Sequence, residues 1–237
     1  SEYETAVTLD KNNFAIWNQL MIVESELGEY VSLESHSNES MDLFPNQSLP
    51  YFFNGISNMT LKNYSKAIQS LSDGLEFVID NNPLLTQFYS NLGEAYNYTK
   101  AYEKSDKAFD DALAIDPNDP MVMNNYAYYL SIRKEKLEKA AKLSARTIEL
   151  QPGSVSYMDT YAWILYQQGK YVDAKTWLDK ALSKGGDNRA AILEHYGDVL
   201  FKLNDEKGAY EYWKKAKEKG GNSDTLNKKI LEGKLYE

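Results

Sequence analysis

The stretch Asp159–Gly169, DTYAWILYQQG, has the apolar spacing of a helix but carries two stripes where one would do. Tyr161, Ala162 and Leu165 share one face. Trp163 and Tyr166, with Asp159 one turn earlier, share another. A surface helix buries a single stripe against its core, so the second stripe calls for a further neighbour or a ligand.

The pattern returns along the chain. Tyr89–Asp119 (YSNLGEAYNYTKAYEKSDKAFDDALAIDPND), Met158–Asn188 (MDTYAWILYQQGKYVDAKTWLDKALSKGGDN) and Leu193–Ser223 (LEHYGDVLFKLNDEKGAYEYWKKAKEKGGNS) align without gaps. Small residues recur at Gly93, Ala162 and Gly197, at Ser105, Ala174 and Ala209, and at Ala112, Ala181 and Ala216. Bulky residues recur at Phe109, Leu178 and Trp213, and breakers at Pro117, Gly186 and Gly221. The pattern predicts two antiparallel helices per unit of about 34 residues. Small residues let the paired helices approach, bulky ones fill the gap, and Pro or Gly stops the second helix.

These stretches resemble the tetratricopeptide repeat, especially in NLGEAY (Asn91–Tyr96) and ALAIDPN (Ala112–Asn118). The resemblance covers nearly the whole chain. It implies an all-α fold, a right-handed superhelical solenoid of helix-turn-helix repeats. Its register gives six full repeats, 14–47, 48–85, 86–119, 120–154, 155–189 and 190–223. Residues 1–13 read as the second helix of a truncated preceding repeat, and 224–237 as a polar capping helix that starts after the cap residue Ser223. The start at Ser1, without a methionine or a leader, reads as a cut end. Three departures carry expectations. Ser32–Phe44 (SLESHSNESMDLF) is poor in apolar residues and is expected to be the least stable segment. Asn81–Leu85 (NNPLL) is expected to lengthen a connection, and an extra residue falls near Arg133–Lys139 (RKEKLEK).

Chemistry adds little to this picture. The chain has no cysteine, no HExxH, no P-loop and no GxGxxG after a strand, so no enzyme, metal or cofactor is expected. Glu194, His195 and Asp198 in LEHYGD are three weak ligands with a single histidine, and read as a solvated face with local charge pairing. Five N-x-S/T sequons suit an asparagine-rich chain of bacterial type. Residues 1–119 hold 6 Lys/Arg against 19 Asp/Glu, a net −13, whereas 120–237 hold 20 against 16, a net +4. The acidic half repels phosphate and the basic excess is small, which excludes a nucleic-acid footprint. YAWILY is among the longest apolar runs, far short of the ~20 residues of a membrane span.

In the resembled family the first helix of each repeat lines a concave groove. Carried over residue by residue, its inward positions fall on Asn124 and Tyr128, on Asp159, Trp163 and Tyr166, and on Glu194, Asp198 and Phe201, with Lys202 the one cation. The expected ligand is a peptide or protein segment, gripped by rigid aromatics and selected for positive charge by the acids. The alternative is a glycan or peptidoglycan fragment stacked on Trp163 and Tyr166. A third reading has Trp163 packing on the neighbouring repeat with no ligand. A clamp for a C-terminal carboxylate fits poorly, since Asn124 and Asn125 have only Lys202 beside them among carboxylates. NNYAYYLS (Asn124–Ser131), DTYAWILYQQGKY (Asp159–Tyr171) and LEHYGDVLFKL (Leu193–Leu203) are similar in wording to tetratricopeptide proteins of Bacteroidetes-type bacteria. That likeness implies a scaffold of the cell envelope, periplasmic or attached to the outer membrane, with the cytoplasm as the other setting.

Overall fold

The computed structural model describes residues 2–236, and these form helices and turns with no strand. Two compact units divide the chain, Ser1–Val122 and Met123–Glu237. The first holds α1 (Glu2–Leu9), α2 (Phe14–Leu27), α3 (Tyr30–Leu43), α4 (Ser48–Thr60), α5 (Tyr64–Gly74), α6 (Asn82–Tyr98) and α7 (Tyr102–Ile115). The division falls within α8 (Pro120–Ile132). The second unit continues with α9 (Leu137–Leu150), α10 (Val155–Gln167), α11 (Tyr171–Ser183), α12 (Ala190–Lys202), α13 (Glu206–Glu218) and α14 (Asp224–Glu232).

Neighbours in sequence pack as hairpins: α2 with α3, α4 with α5 and α6 with α7 in the first unit, α10 with α11 and α12 with α13 in the second. The recurring small and bulky residues meet across these hairpins. A Cβ added at Gly93 would lie 2.8 Å from the Phe109 ring, and one at Gly197 would lie 2.5 Å from Trp213. Each glycine is therefore the dent that receives a fully buried ring from the partner helix. Hairpin turns rely on one left-handed residue, as at Lys62 (φ 62°), Lys100 (φ 60°) and Asn204 (φ 64°). The turn before α9 uses two, Lys134 (φ 57°) and Lys136 (φ 46°), and so absorbs the extra residue of Arg133–Lys139.

Asn81–Leu85 does not lengthen a connection. It opens α6, because the Asn81 side chain accepts a hydrogen bond from the Leu84 N–H at 3.1 Å and Pro83 sits in the first turn, where its missing N–H costs nothing. Segment 32–44 forms most of α3 and buries Leu33, Ser37 and Ser40. Its polar side is answered by α4. The Asn54 amide donates to Ser37 Oγ and to Asn38 Oδ1, each at 3.0 Å, while Ser70 Oγ (2.6 Å) and Asn58 Nδ2 (3.1 Å) donate to Asn54 Oδ1. Asn54, Asn58, Ser37 and Ser70 are all buried, so a neutral hydrogen-bond hub stands where an apolar contact would be usual.

Candidate functional site

In the second unit α10 and α12 are the first helices of successive hairpins, and α14 follows the second of these. His195 of α12 reaches back to α10, where its Nδ1 lies 2.8 Å from Asp159 Oδ1. Its ring also stacks on Trp163, at 4.3 Å between centroids and 20° between planes. Lys229 of α14 reaches back to α12 in the same way. Its Nζ donates to Glu194 Oε1 at 2.8 Å and to Asp198 Oδ2 at 2.7 Å. Thus each later helix sends one base onto two inner positions of the earlier one: Asp159 and Trp163, then Glu194 and Asp198. The two rungs form a ladder across α10, α12 and α14.

Burial and charge set the character of each rung. At His195 burial works to lower the pKa and is the largest single influence, but Asp159, by charge and hydrogen bond, together with Asp198 and Glu194 outweighs it and raises the value above the usual histidine range. Burial pushes the Asp198 carboxyl up, opposed by the Lys229 charge and hydrogen bond and by His195. Asp198 also accepts from Trp213 Nε1–H at 2.8 Å, so its second oxygen is held by the core.

Trp163 is half-buried, and two rings of the protein stack on its indole: His195 and, at 4.7 Å and 7°, Tyr166. Tyr166 is only 3% exposed, and Lys202 Nζ lies 5.8 Å from its centroid. Phe201 is half-buried and stacks on Trp213 at 5.8 Å. Tyr128 is 39% exposed and meets Tyr129 edge-on at 5.6 Å, while Asn124 is half-buried in the same helix. Trp163, Glu194, His195, Asp198 and Lys229 line a cavity of about 340 Å³, with Ile132 and Lys134 at its α8 side. Asp159 and Tyr166 back this cavity rather than line it, and Asn124, Tyr128 and Phe201 stand outside its wall.

Two corrections to the sequence reading follow. The inner cations are not Lys202 alone, since the lysines that line the cavity are Lys134 and Lys229. The acids are not open at rest, because Asp159 is engaged by His195 and Glu194 and Asp198 by Lys229. The glycan reading needs an open indole face, and two internal rings already compete for it. Sequence reasoning missed His195 and Lys229 as partners, although a signal was available. Asp159 and His195 are 36 residues apart and Glu194 and Lys229 are 35 apart, each about one repeat length plus one. Among the described residues no cluster of three or more acids and histidines is placed to hold a metal ion, and no helix is long and apolar enough to cross a membrane.

Comparison with known proteins extends the picture. Residues 86–119 match the tetratricopeptide-repeat family. A TPR repeat-containing protein of Pseudomonas aeruginosa is 33% identical over 134 residues, which cover 56% of this chain and 22% of that protein. The chain therefore spans about a fifth of the length of this curated relative. Among solved structures, a tetratricopeptide repeat protein of Parabacteroides merdae superposes with a TM-score of 0.76 at 15% identity, over 97% of this chain and 88% of that one. The type IV pilus biogenesis factor PilW superposes with a TM-score of 0.75 at 20% identity, over 90% of this chain and 96% of its own. The chain thus carries one tetratricopeptide repeat matched outright, at 86–119, and shares the fold of solved tetratricopeptide-repeat proteins over nearly all of its length.

Proposed function

We propose that the chain is a non-catalytic scaffold that holds a peptide or protein segment against the inner face of its second unit. The observation that carries this reading is the cavity between α10, α12 and α14, together with the exposed side chains of α8, Tyr128 (39%) and Ile132 (43%), of which Ile132 reaches its wall. A tyrosine and an isoleucine left this open, next to a concave wall of indole and imidazole, make an anchor surface of low conformational-entropy cost. At rest each acid is already paired inside the protein. Tyr128→Ala/Ile132→Glu is the informative variant, because it alters exposed positions and spares the ladder. It should keep the wild-type circular dichroism and lose partners captured from extracts of the source organism. Retention of every partner sinks the groove reading. We further place the scaffold in the bacterial envelope, periplasmic or attached to the outer membrane. Its likeness to Bacteroidetes-type chains and the fold it shares with a pilus biogenesis factor support that setting. Cell fractionation of the native protein tests it, and recovery in the cytosolic fraction overturns it.

A further inference from the structure

Lysine is seldom buried without a purpose, yet the Lys229 side chain is 4% exposed and lies between two carboxylates of α12. The helix that delivers it is amphipathic. Leu226, three residues earlier, is fully buried, and Ile230 packs beside it against the same core. Ser223 caps its first turn by accepting from the Leu226 N–H at 3.0 Å. Past Gly233 (φ 63°) the chain turns back, so that Tyr236 lines the same cavity as Trp163 and Glu194. The cavity is thus walled on one side by α12 and on the other by α14 and the segment that follows it.

We propose that α14 is an internal competitor, and that a partner's amphipathic helix bearing a lysine three residues after a leucine binds α12 by replacing Lys229 between Glu194 and Asp198. The proposal rests on the reading of this inner face as the partner-binding surface, and it names the partner's chemistry. Opening α14 alone would strand Asp198, which is nearly inaccessible to water and would be left with the Trp213 indole N–H in place of its cation. An incoming ammonium removes that penalty, so exchange of one lysine helix for another is favoured over simple opening. A segment without a cation would leave the two acids unpaired and be rejected. This is how the face selects a basic partner although its acids are all engaged at rest.

The test uses the full chain and a fluorescein-labelled synthetic peptide of the 223–236 sequence, SDTLNKKILEGKLY. Lys229→Met in the chain weakens the internal competitor, so the peptide should bind that variant at least about tenfold more tightly than wild type. The same Lys→Met change placed in the peptide should cost at least about tenfold on either chain. Equal binding to both chains, equal binding of both peptides, or no binding overturns the proposal. Should Lys229→Met fail to fold, hydrogen exchange on the wild-type chain decides. Saturating peptide must speed exchange at the α14 amides while α12 stays protected, and unchanged α14 exchange overturns the proposal. The peptide can fail while Tyr128→Ala/Ile132→Glu still abolishes partner capture, in which case α14 is a fixed part of the unit and the groove reading stands.

Discussion

The two units solve one problem by different means. Each has helix faces where polar side chains meet away from water. In the first unit the answer where α3 meets α4 is neutral: Asn54 distributes its amide and carbonyl among Ser37, Asn38, Asn58 and Ser70. In the second it is ionic: His195 and Lys229 pair with Asp159, Glu194 and Asp198. A neutral hub costs less to bury and does not respond to pH. An ionic ladder costs more to desolvate, and removing one member leaves a buried charge behind. Tight packing is common to both units, and so is a carboxylate–imidazole pair, since His36 Nδ1 lies 2.6 Å from the buried Glu24 Oε1 in the first. What belongs to the second is a run of acid–base pairs across three helices.

The contrast can be broken most sharply at Lys229. Lys229→Met should cost about 3–5 kcal/mol of stability in the second unit, because it leaves Asp198 buried without its cation. Adding Asp198→Asn should recover part of that loss, and urea denaturation of the two variants reads the coupling. Asn54→Ala should cost somewhat less, about 2–3 kcal/mol, since it orphans neutral partners only. Hydrogen exchange resolved by helix should place that loss in α3, α4 and α5, and an effect spread into α12 would count against the separation.

The pH response is smaller and has a definite sign. The folded unit binds the His195 proton more tightly than the unfolded chain does, because its pKa is raised. The stability gained from this rung is complete below the ordinary histidine value of about 6.5 and is lost as pH rises through the raised value. Unfolding of the second unit should therefore become easier as pH rises above about 6.5 in wild type, and less so in His195→Gln. The Asn54 hub should stay level over the same interval. A wild-type profile that matches His195→Gln would remove the ladder's claim to responsiveness. The smallest effect is expected at Tyr128→Ala, within about 0.5 kcal/mol, since the ring is a surface group.

Much of this architecture was legible in the sequence. The recurrence of Gly93, Ala162 and Gly197 with Phe109, Leu178 and Trp213 pointed to paired helices, and Gly93 and Gly197 indeed receive the rings of Phe109 and Trp213. Ser223 was legible as a cap. Asn81–Leu85 was not, because its asparagines and proline suit a loop and a helix start equally, and only the capping bond decides. The site was harder to read than the fold. Register assigned inner positions to single helices, whereas the state of Asp159, Asp198 and Trp163 depends on what the next helix brings. A carboxylate looks free until the base 31 to 36 residues later is found beside it. The shortage of apolar residues in α3 was legible, whereas the polar contacts that meet it were not, since the asparagine that makes them lies in α4.

The ladder's spacing bears on how such a chain can grow. α12 carries both halves of the device: a base, His195, directed to the helix before it, and two acids, Glu194 and Asp198, offered to the helix after it. A tandem duplication of 190–223 would place a new imidazole beside Glu194 and give Lys229 a new pair of acids. Every charge would keep an opposite neighbour from the first generation onward. Insertion of one residue within α11 or α13 would instead shift the rungs out of step. The array is thereby tolerant of gaining whole repeats and intolerant of slipping, which is the mutational grammar expected of a lineage that varies its length.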